Sequence, residues 1–282
     1  MQERGVGRLS VVVVTYNRAD YLRLCLACLL EADYAGPWEI VVSDDGSTDA
    51  TPDVIEEARR TRADVELRHV WHEHQRYRRA FALNEGARNS IGDLLVFLDS
   101  DCLPTRELLR VYAEHARPNA FYLGGVLKLT EAFSRRALAA ADGLKPQDLL
   151  AEAAESASLA PGARKRLRAR YWQSRLHAAL GIGRPRIWGG NFAINRETLE
   201  AVNGLDETFV GYGQEDSDLR NRLVLGGYRP VPLHTRAIAY HLWHPANLEA
   251  RQEASGAGNN RPYADRPTVE VVCTNGLRKL GG

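Results

Sequence analysis

Two aspartates stand one residue apart where an apolar run ends, in Val96-Phe97-Leu98-Asp99-Ser100-Asp101. Like charges at the exit of a core need something to share, and a hard divalent cation that prefers oxygen ligands suits them. An exposed, solvated turn is the alternative. A second apolar run, Trp38 to Ser43, ends in Asp44-Asp45-Gly46-Ser47. An ionised carboxylate at Asp44 or Asp45 is acceptor-only, which suits a base N–H or a ribose hydroxyl. A third run ends in Thr15-Tyr16-Asn17, and Glu215-Asp216 opens the stretch "EDSDLRNRL". That stretch reads as an acidic helix start, since Glu and Asp complement the N-terminal dipole.

The elements that must position these groups follow from hydrophobic periodicity. "LSVVVVTY" (Leu9 to Tyr16) is a continuous β-branched run of the buried, parallel-sheet type. Further strands are expected at Trp38–Ser43, Val65–Val70 and Asp93–Asp99, with helices at Ala19–Ala32, Asp49–Thr61 and Arg78–Ser90. This β-α alternation implies α/β architecture, a mostly parallel sheet covered on both faces. In such a sheet ligands sit beyond the carboxyl ends of the strands. Three strands carrying polar groups on that one edge say more together than any one does. From Thr130 to Leu180 the pattern turns helical and charged, with three candidate helices rich in Ala, Leu, Glu and Arg.

Composition narrows the function classes. The 282 residues are 44% hydrophobic and 26% charged, with formal net charge +1, which gives no global electrostatic case for nucleic acid or a membrane as partner. Basic residues do cluster in "ARKRLRARYWQSR" (Ala163 to Arg175). Such a run reads first as a solvated helix face and second as a patch for a phosphate-rich or lipid-linked partner. No secretory signal or membrane-length apolar stretch is visible, so a cytoplasmic, soluble chain is expected, with peripheral membrane contact left open. Cys25 and Cys28 form a C-x-x-C inside an apolar helical pattern, with no second pair to complete a zinc set; they are expected to be buried thiols. Neither a P-loop nor a G-x-G-x-x-G fingerprint follows the first strand, which argues against P-loop phosphate transfer and dinucleotide oxidoreduction.

The stretches "VVVVTYNRADYL", "IVVSDDGSTDAT", "ALNEGARNSIGDLLVFLDSD" and "GGNFAINRETLEAVNGLDETFVGYGQEDSDLRNRL" together resemble family 2 glycosyltransferases of the GT-A fold. The last also resembles the C-terminal part of β-1,4-galactosyltransferases and of bacterial chondroitin-type polymerases. The resemblance implies a Rossmann-like GT-A domain over residues 1–245. Its parts would be a nucleotide-binding half (1–130), a helical insertion (131–185) and an acceptor half (186–245), followed by a partly mobile tail (246–282). It implies inverting transfer from a nucleotide-diphosphate sugar, with a UDP-sugar favoured, to a hydroxyl acceptor such as a saccharide. Thr15, Tyr16, Asn17, Asp45, Arg79, Asn84 and Asp99 then fall to the nucleotide. Gly190, Trp188 and Asn191 fall to the donor sugar or acceptor. Asp101 and Asp99 fall to the metal, completed by His241 or, alternatively, His244. Asp216 would be the base and Glu215 an acceptor-holding carboxylate. An imidazole ligand favours Mn²⁺ over Mg²⁺. Two other readings stay open: a sugar-phosphate nucleotidyltransferase, and an inactive carbohydrate-binding homologue.

Overall fold

The computed structural model describes residues 6–141, 143–181, 185–245 and 270–280. The first half runs β1 (Leu9–Thr15), α1 (Ala19–Leu30), β2 (Trp38–Asp44), α2 (Thr51–Thr61), β3 (Glu66–Trp71), α3 (Arg79–Arg88) and β4 (Leu94–Asp99). The second continues through β5 (Cys102–Pro104), α4 (Leu108–Glu114), β6 (Ala120–Leu123), β7 (Gly125–Lys128), α5 (Glu131–Ala139), α6 (Pro146–Ala154) and α7 (Ala163–Leu180). It closes with β8 (Asn191–Asn195), α8 (Arg196–Ala201), α9 (Glu215–Leu225), β9 (Arg229–Pro232) and β10 (Ile238–His241). A seven-stranded sheet has the order β3-β2-β1-β4-β8-β6-β9, and a second sheet has the order β5-β10-β7. In the large sheet β3, β2, β1 and β4 are parallel, while β8 runs antiparallel to both its neighbours. The expected mostly parallel α/β sheet, covered on both faces, is what forms.

Strand β1 shows why the run is apolar throughout. Its side chains alternate between the faces: Val11 and Val13 pack with α1, α2 and α4, and Val12 packs with α3, α8 and α9. Each fully buried valine of this kind is worth about 1.5–3 kcal/mol. Phe97 of β4 stacks on Phe192 of β8 with centroids 4.8 Å apart, which ties the antiparallel strand to the parallel set. The three helices expected after Thr130 are present, and α5, α6 and the start of α7 bury Phe133, Leu149, Leu150 and Leu167 against the small sheet and α1. All four cysteines are free and buried, as expected of packing thiols.

Register fixes the functional edge. Thr15 lies opposite Asp44 and Val14 opposite Asp99, so the three strand ends stop level with one another. The small sheet adds a fourth contribution, because His241 pairs with Cys102, the residue after Asp101.

The expected tail divides in two. Residues 246–269 lie outside the described residues. Residues 270–280, in contrast, are bound to the domain: Asn203 donates to the carbonyls of Cys273 (2.7 Å) and Arg278 (2.9 Å), and Arg88 donates to that of Gly276 (2.7 Å). A Cβ on Gly276 would lie 1.7 Å from the Asn203 carbonyl, so only glycine fits there. No helix among the described residues is long and apolar enough to cross a membrane.

His234, between β9 and β10, is 2% exposed. Burial, and then the nearby Arg170 charge, bring its imidazole down to about 4 from an ordinary 6.5. A histidine depressed in the folded state gives its full stability above the unfolded value. That stability is lost as pH falls from 6.5 toward 4, because the unfolded chain takes up the proton first. His234→Gln is expected to remove about 3 kcal/mol of this acid-side loss, read as urea midpoints across the range. Parallel pH profiles for variant and parent would refute the assignment.

Candidate functional site

The level strand ends open into a cleft lined by Thr15, Tyr16, Asp45, Arg79, Asp99, Asp101, His241 and His244, all of them expected from the sequence. On one side, Asp101 Oδ2 lies 3.2 Å from His244 Nε2, and Asp101 Oδ1 lies 3.6 Å from His241 Nε2. Arg18 donates to the same carboxylate at 2.9 Å. Burial works to raise the Asp101 carboxyl, but His241, His244 and Arg18 outweigh it and hold the group well below the usual carboxylate range. One ligand atom from each of Asp101, His241 and His244 lies within 4.8 Å of the others. One carboxylate oxygen and two imidazole nitrogens form a donor set that fits a first-row divalent ion. The two histidines expected as alternatives are therefore brought together.

Asp99 was expected to share the cation with Asp101. It stands outside that cluster, and its Oδ1 accepts from Arg79 Nη2 at 2.6 Å. Arg79 also donates to the Gly189 carbonyl at 2.8 Å and, through Nη1, to Glu215 Oε1 at 3.2 Å. Burial alone would disfavour its charge, and Asp99 and Glu215 more than offset this. The guanidinium thus ties the end of β4 to the start of α9. A Cβ on Gly189 would lie 2.9 Å from Arg79, and one on Gly190 would lie 3.2 Å from the Asp99 carboxylate. The glycine pair leaves the room that this bridge needs.

The acidic pair reaches the site through a strained turn. Gly211 (φ 92°), Gly213 (φ 93°) and Gln214 (φ 78°) all have left-handed backbone, and Gly211 N–H donates to the Tyr77 carbonyl at 2.7 Å. A non-glycine residue held at positive φ marks a turn fixed by its surroundings. Glu215 and Asp216 then begin α9. Burial first, and then the Asp216 charge, push the Glu215 carboxyl up against the opposing pull of Arg79. Glu215 Oε2 is buried with no partner.

On the other side, Asp45 lies 2.9 Å from His74 Nδ1 and 3.2 Å from His72 Nδ1. The His74 ring stacks on Tyr16 with centroids 4.1 Å apart. Thr15 Oγ1, Asp45 Oδ1 and both His72 ring nitrogens are buried without a hydrogen-bond partner. Of these residues Thr15 and Asp45 line the cleft, and Asp45 Oδ1 and His72 Nδ1 face each other at the 3.2 Å given above.

Several expected site residues are engaged in contacts within the fold. Asn84 is fully buried; it donates to Leu205 O and Glu207 Oε1 and accepts from Leu205 N–H, which pins the 205–207 turn. Asn191 is fully buried between the two sheets, donating to Gly125 O and Ala237 O and accepting from the Tyr112 hydroxyl. Asn17 spends its carbonyl oxygen on Thr48 N–H at 2.8 Å. Trp188 lies beneath Arg170 (3.9 Å) and Arg186 (5.6 Å) and does not line the cleft. Amides serve ligands and turns equally well, and spacing along the chain does not separate the two uses. Arg18, Tyr77 and Arg78 line the cleft without having been singled out, while the His- and Arg-rich "WHEHQRYRR" was the unused signal for His72 and His74.

A mostly parallel sheet with a metal-competent carboxylate at its edge, joined through a small second sheet to a late histidine strand, defines the GT-A class of fold. The mannosyltransferase PcManGT of Pyrobaculum calidifontis, solved with GDP-Man and Mn²⁺, shares it with a TM-score of 0.64 at 23% identity, over 94% of this chain and 66% of that one. The family 2 glycosyl transferase model matches residues 10–202, and the chain belongs to that family. A model described as the N-terminal domain of galactosyltransferase matches residues 176–245. Among curated relatives, the validoxylamine A glucosyltransferase of Streptomyces hygroscopicus subsp. jinggangensis (strain 5008) is 32% identical over 89% of this chain and 57% of its own length. The chondroitin synthase of Escherichia coli is 26% identical over 88% of this chain and 36% of its own. The chain thus spans about half or less of these relatives.

If Asn84 holds the 205–207 turn rather than a nucleotide, Asn84→Ala is expected to destabilise the fold by about 3 kcal/mol, since it leaves buried partners unsatisfied. Nucleotide-sugar affinity of the folded variant, measured by calorimetry below its melting point, is expected to stay at the parent value. A selective loss of that affinity at unchanged melting temperature would return Asn84 to the site.

Proposed function

We propose that the protein is an inverting, metal-dependent glycosyltransferase that moves a sugar from a UDP-sugar to a hydroxyl acceptor, with Asp216 as general base. The observation that carries this reading is the Arg79 bridge, which joins the donor-side Asp99 to Glu215, the neighbour of Asp216. Family membership supports it, and so does the metal-competent set at Asp101, His241 and His244.

Each residue has a physical task. Tyr16 and His74 offer π faces, and Asp45 offers an acceptor for a base N–H. Thr15 Oγ1 offers the nucleoside a hydrogen bond from a position where it otherwise has none. Asp101, His241 and His244 would hold the ion, and Mn²⁺ is favoured by the two imidazoles. When bound, such an ion neutralises charge on a diphosphate leaving group. Arg18, beside Asp101, adds a fixed cation on the same side. Glu215 Oε2 offers a buried acceptor to a substrate hydroxyl. Asp216 takes the acceptor hydroxyl proton as that oxygen forms its bond to the anomeric carbon; the bond to the diphosphate breaks on the opposite face, and its electron pair leaves with the nucleotide.

A panel of nucleotide sugars with Mn²⁺, read as thermal stabilisation and slow donor hydrolysis, tests the donor without knowledge of the acceptor. UDP-sugars are expected to stabilise the protein and GDP-sugars to do so less; a preference for GDP-sugars would overturn the donor assignment. Asp101→Asn is expected to abolish the Mn²⁺-dependent part of that stabilisation. Asp216→Asn is expected to lower turnover by about 10²–10⁴-fold while donor affinity holds. Near-parental turnover at saturating acceptor would remove Asp216 from the base role. NMR of the product anomer checks inversion.

A further inference from the structure

Helix α7 is built unlike the rest of the molecule. Its 18 residues carry Arg164, Lys165, Arg166, Arg168, Arg170 and Arg175 and no acid. None of these six forms an ion pair with a carboxylate among the described residues. Elsewhere many arginines are paired with a carboxylate, among them Arg8 with Glu66, Arg62 with Asp64, Arg88 with Glu207, Arg110 with Asp33 and Arg222 with Asp218. A chain of net charge +1 therefore concentrates uncompensated positive charge on one helix.

The same helix exposes apolar surface. Ala163, Leu167 and Ser174 are its buried positions, which fixes the inner face. On the opposite face Trp172 (64% exposed), Leu176 (56%) and Leu180 (58%) follow one another at four-residue spacing. At 100° per residue, Lys165, Arg168 and Arg175 project within about 60° of Trp172, so cations flank the apolar stripe. Arg175 also packs over the Trp172 ring at 5.7 Å, which holds the charge and the ring together.

We propose that this outer face of α7 is a docking surface for an anionic phospholipid bilayer, on which the helix lies in the interfacial plane. Trp172, Leu176 and Leu180 enter the headgroup–acyl boundary, and Lys165, Arg168 and Arg175 meet lipid phosphates. Charge and apolarity on one face decide the partner. A nucleic acid would match the cations but leave two leucines and an indole in water. A second copy of this chain would set six like charges against six. The proposal stands apart from the transferase reading, because no residue in it belongs to the cleft.

Sedimentation of the full chain with vesicles tests it. Phosphatidylcholine vesicles containing phosphatidylglycerol are expected to bind at least tenfold more tightly than pure phosphatidylcholine, with binding weakened by salt. The triple variant Lys165→Glu/Arg168→Glu/Arg175→Glu is expected to lose about a hundredfold or more in affinity for the anionic vesicles. Trp172→Ser/Leu176→Ser is expected to weaken binding and to lose the blue shift of tryptophan emission that vesicles induce in the parent. Both variants are expected to keep the parent's circular dichroism and urea midpoint; should one fail to fold, the other and the lipid and salt dependence of the parent decide. Equal binding to both vesicle types, parental binding by the triple variant, or binding to duplex DNA but not to vesicles would each overturn the proposal.

Discussion

Arg79 is the group on which the arrangement of the cleft depends. Its guanidinium is part-buried and faces Asp99 at 2.6 Å and Glu215 at 3.2 Å, carboxylates that come from opposite halves of the chain. Removing one partner leaves the other charges uncompensated; the cost is about 3–5 kcal/mol for a fully buried pair and smaller here, where Asp99 is 28% exposed. The bridge therefore couples folding to site assembly. The sheet edge and the acidic helix reach their working geometry together. The glycines at 189 and 190 follow from the same constraint, because a side chain there would occupy the space of the guanidinium or of its carboxylate partner.

Around this bridge the fold uses a small number of fully satisfied polar side chains to fix loops that no hydrophobic contact could place. Asn84 holds the 205–207 turn, Asn191 locks the two sheets together, and Asn203 receives the 270–280 segment. Arg222, the largest fully buried side chain, spends its donors on Asp218, Val202 O and Gly204 O. Polar groups of this kind are costly when unpaired, so they specify one arrangement of the loops they touch. At the cleft itself, Thr15 Oγ1 and Asp45 Oδ1 are buried without a hydrogen-bond partner.

Much of this was legible in the residues. The β-branched run at Leu9 to Tyr16 and the helical patterns after Thr130 reported their own structure, since burial on two faces and burial on one stripe leave different periodicities. The acids at strand ends were legible as a ligand edge. The short strands β6, β7 and β9 were not, because four residues carry too little period to distinguish them from loops. The internal contacts of the amides were not legible for a different reason. Asn17, Asn84 and Asn191 have the right type for a ligand, and what they bind depends on distant partners such as Thr48, Leu205 and Gly125.

The sequence by itself determined the α/β class, the strand ends that bear carboxylates and the acidic start of α9, because these rest on local pattern and residue chemistry. Tertiary structure decided how the charges were shared out. Asp101 went to His241 and His244 because β10 pairs with β5 beside it, and Asp99 went to Arg79, the first residue of α3. Partition of charge among groups 20 to 140 residues apart is set by distance in space, and a linear order of residues does not contain that distance.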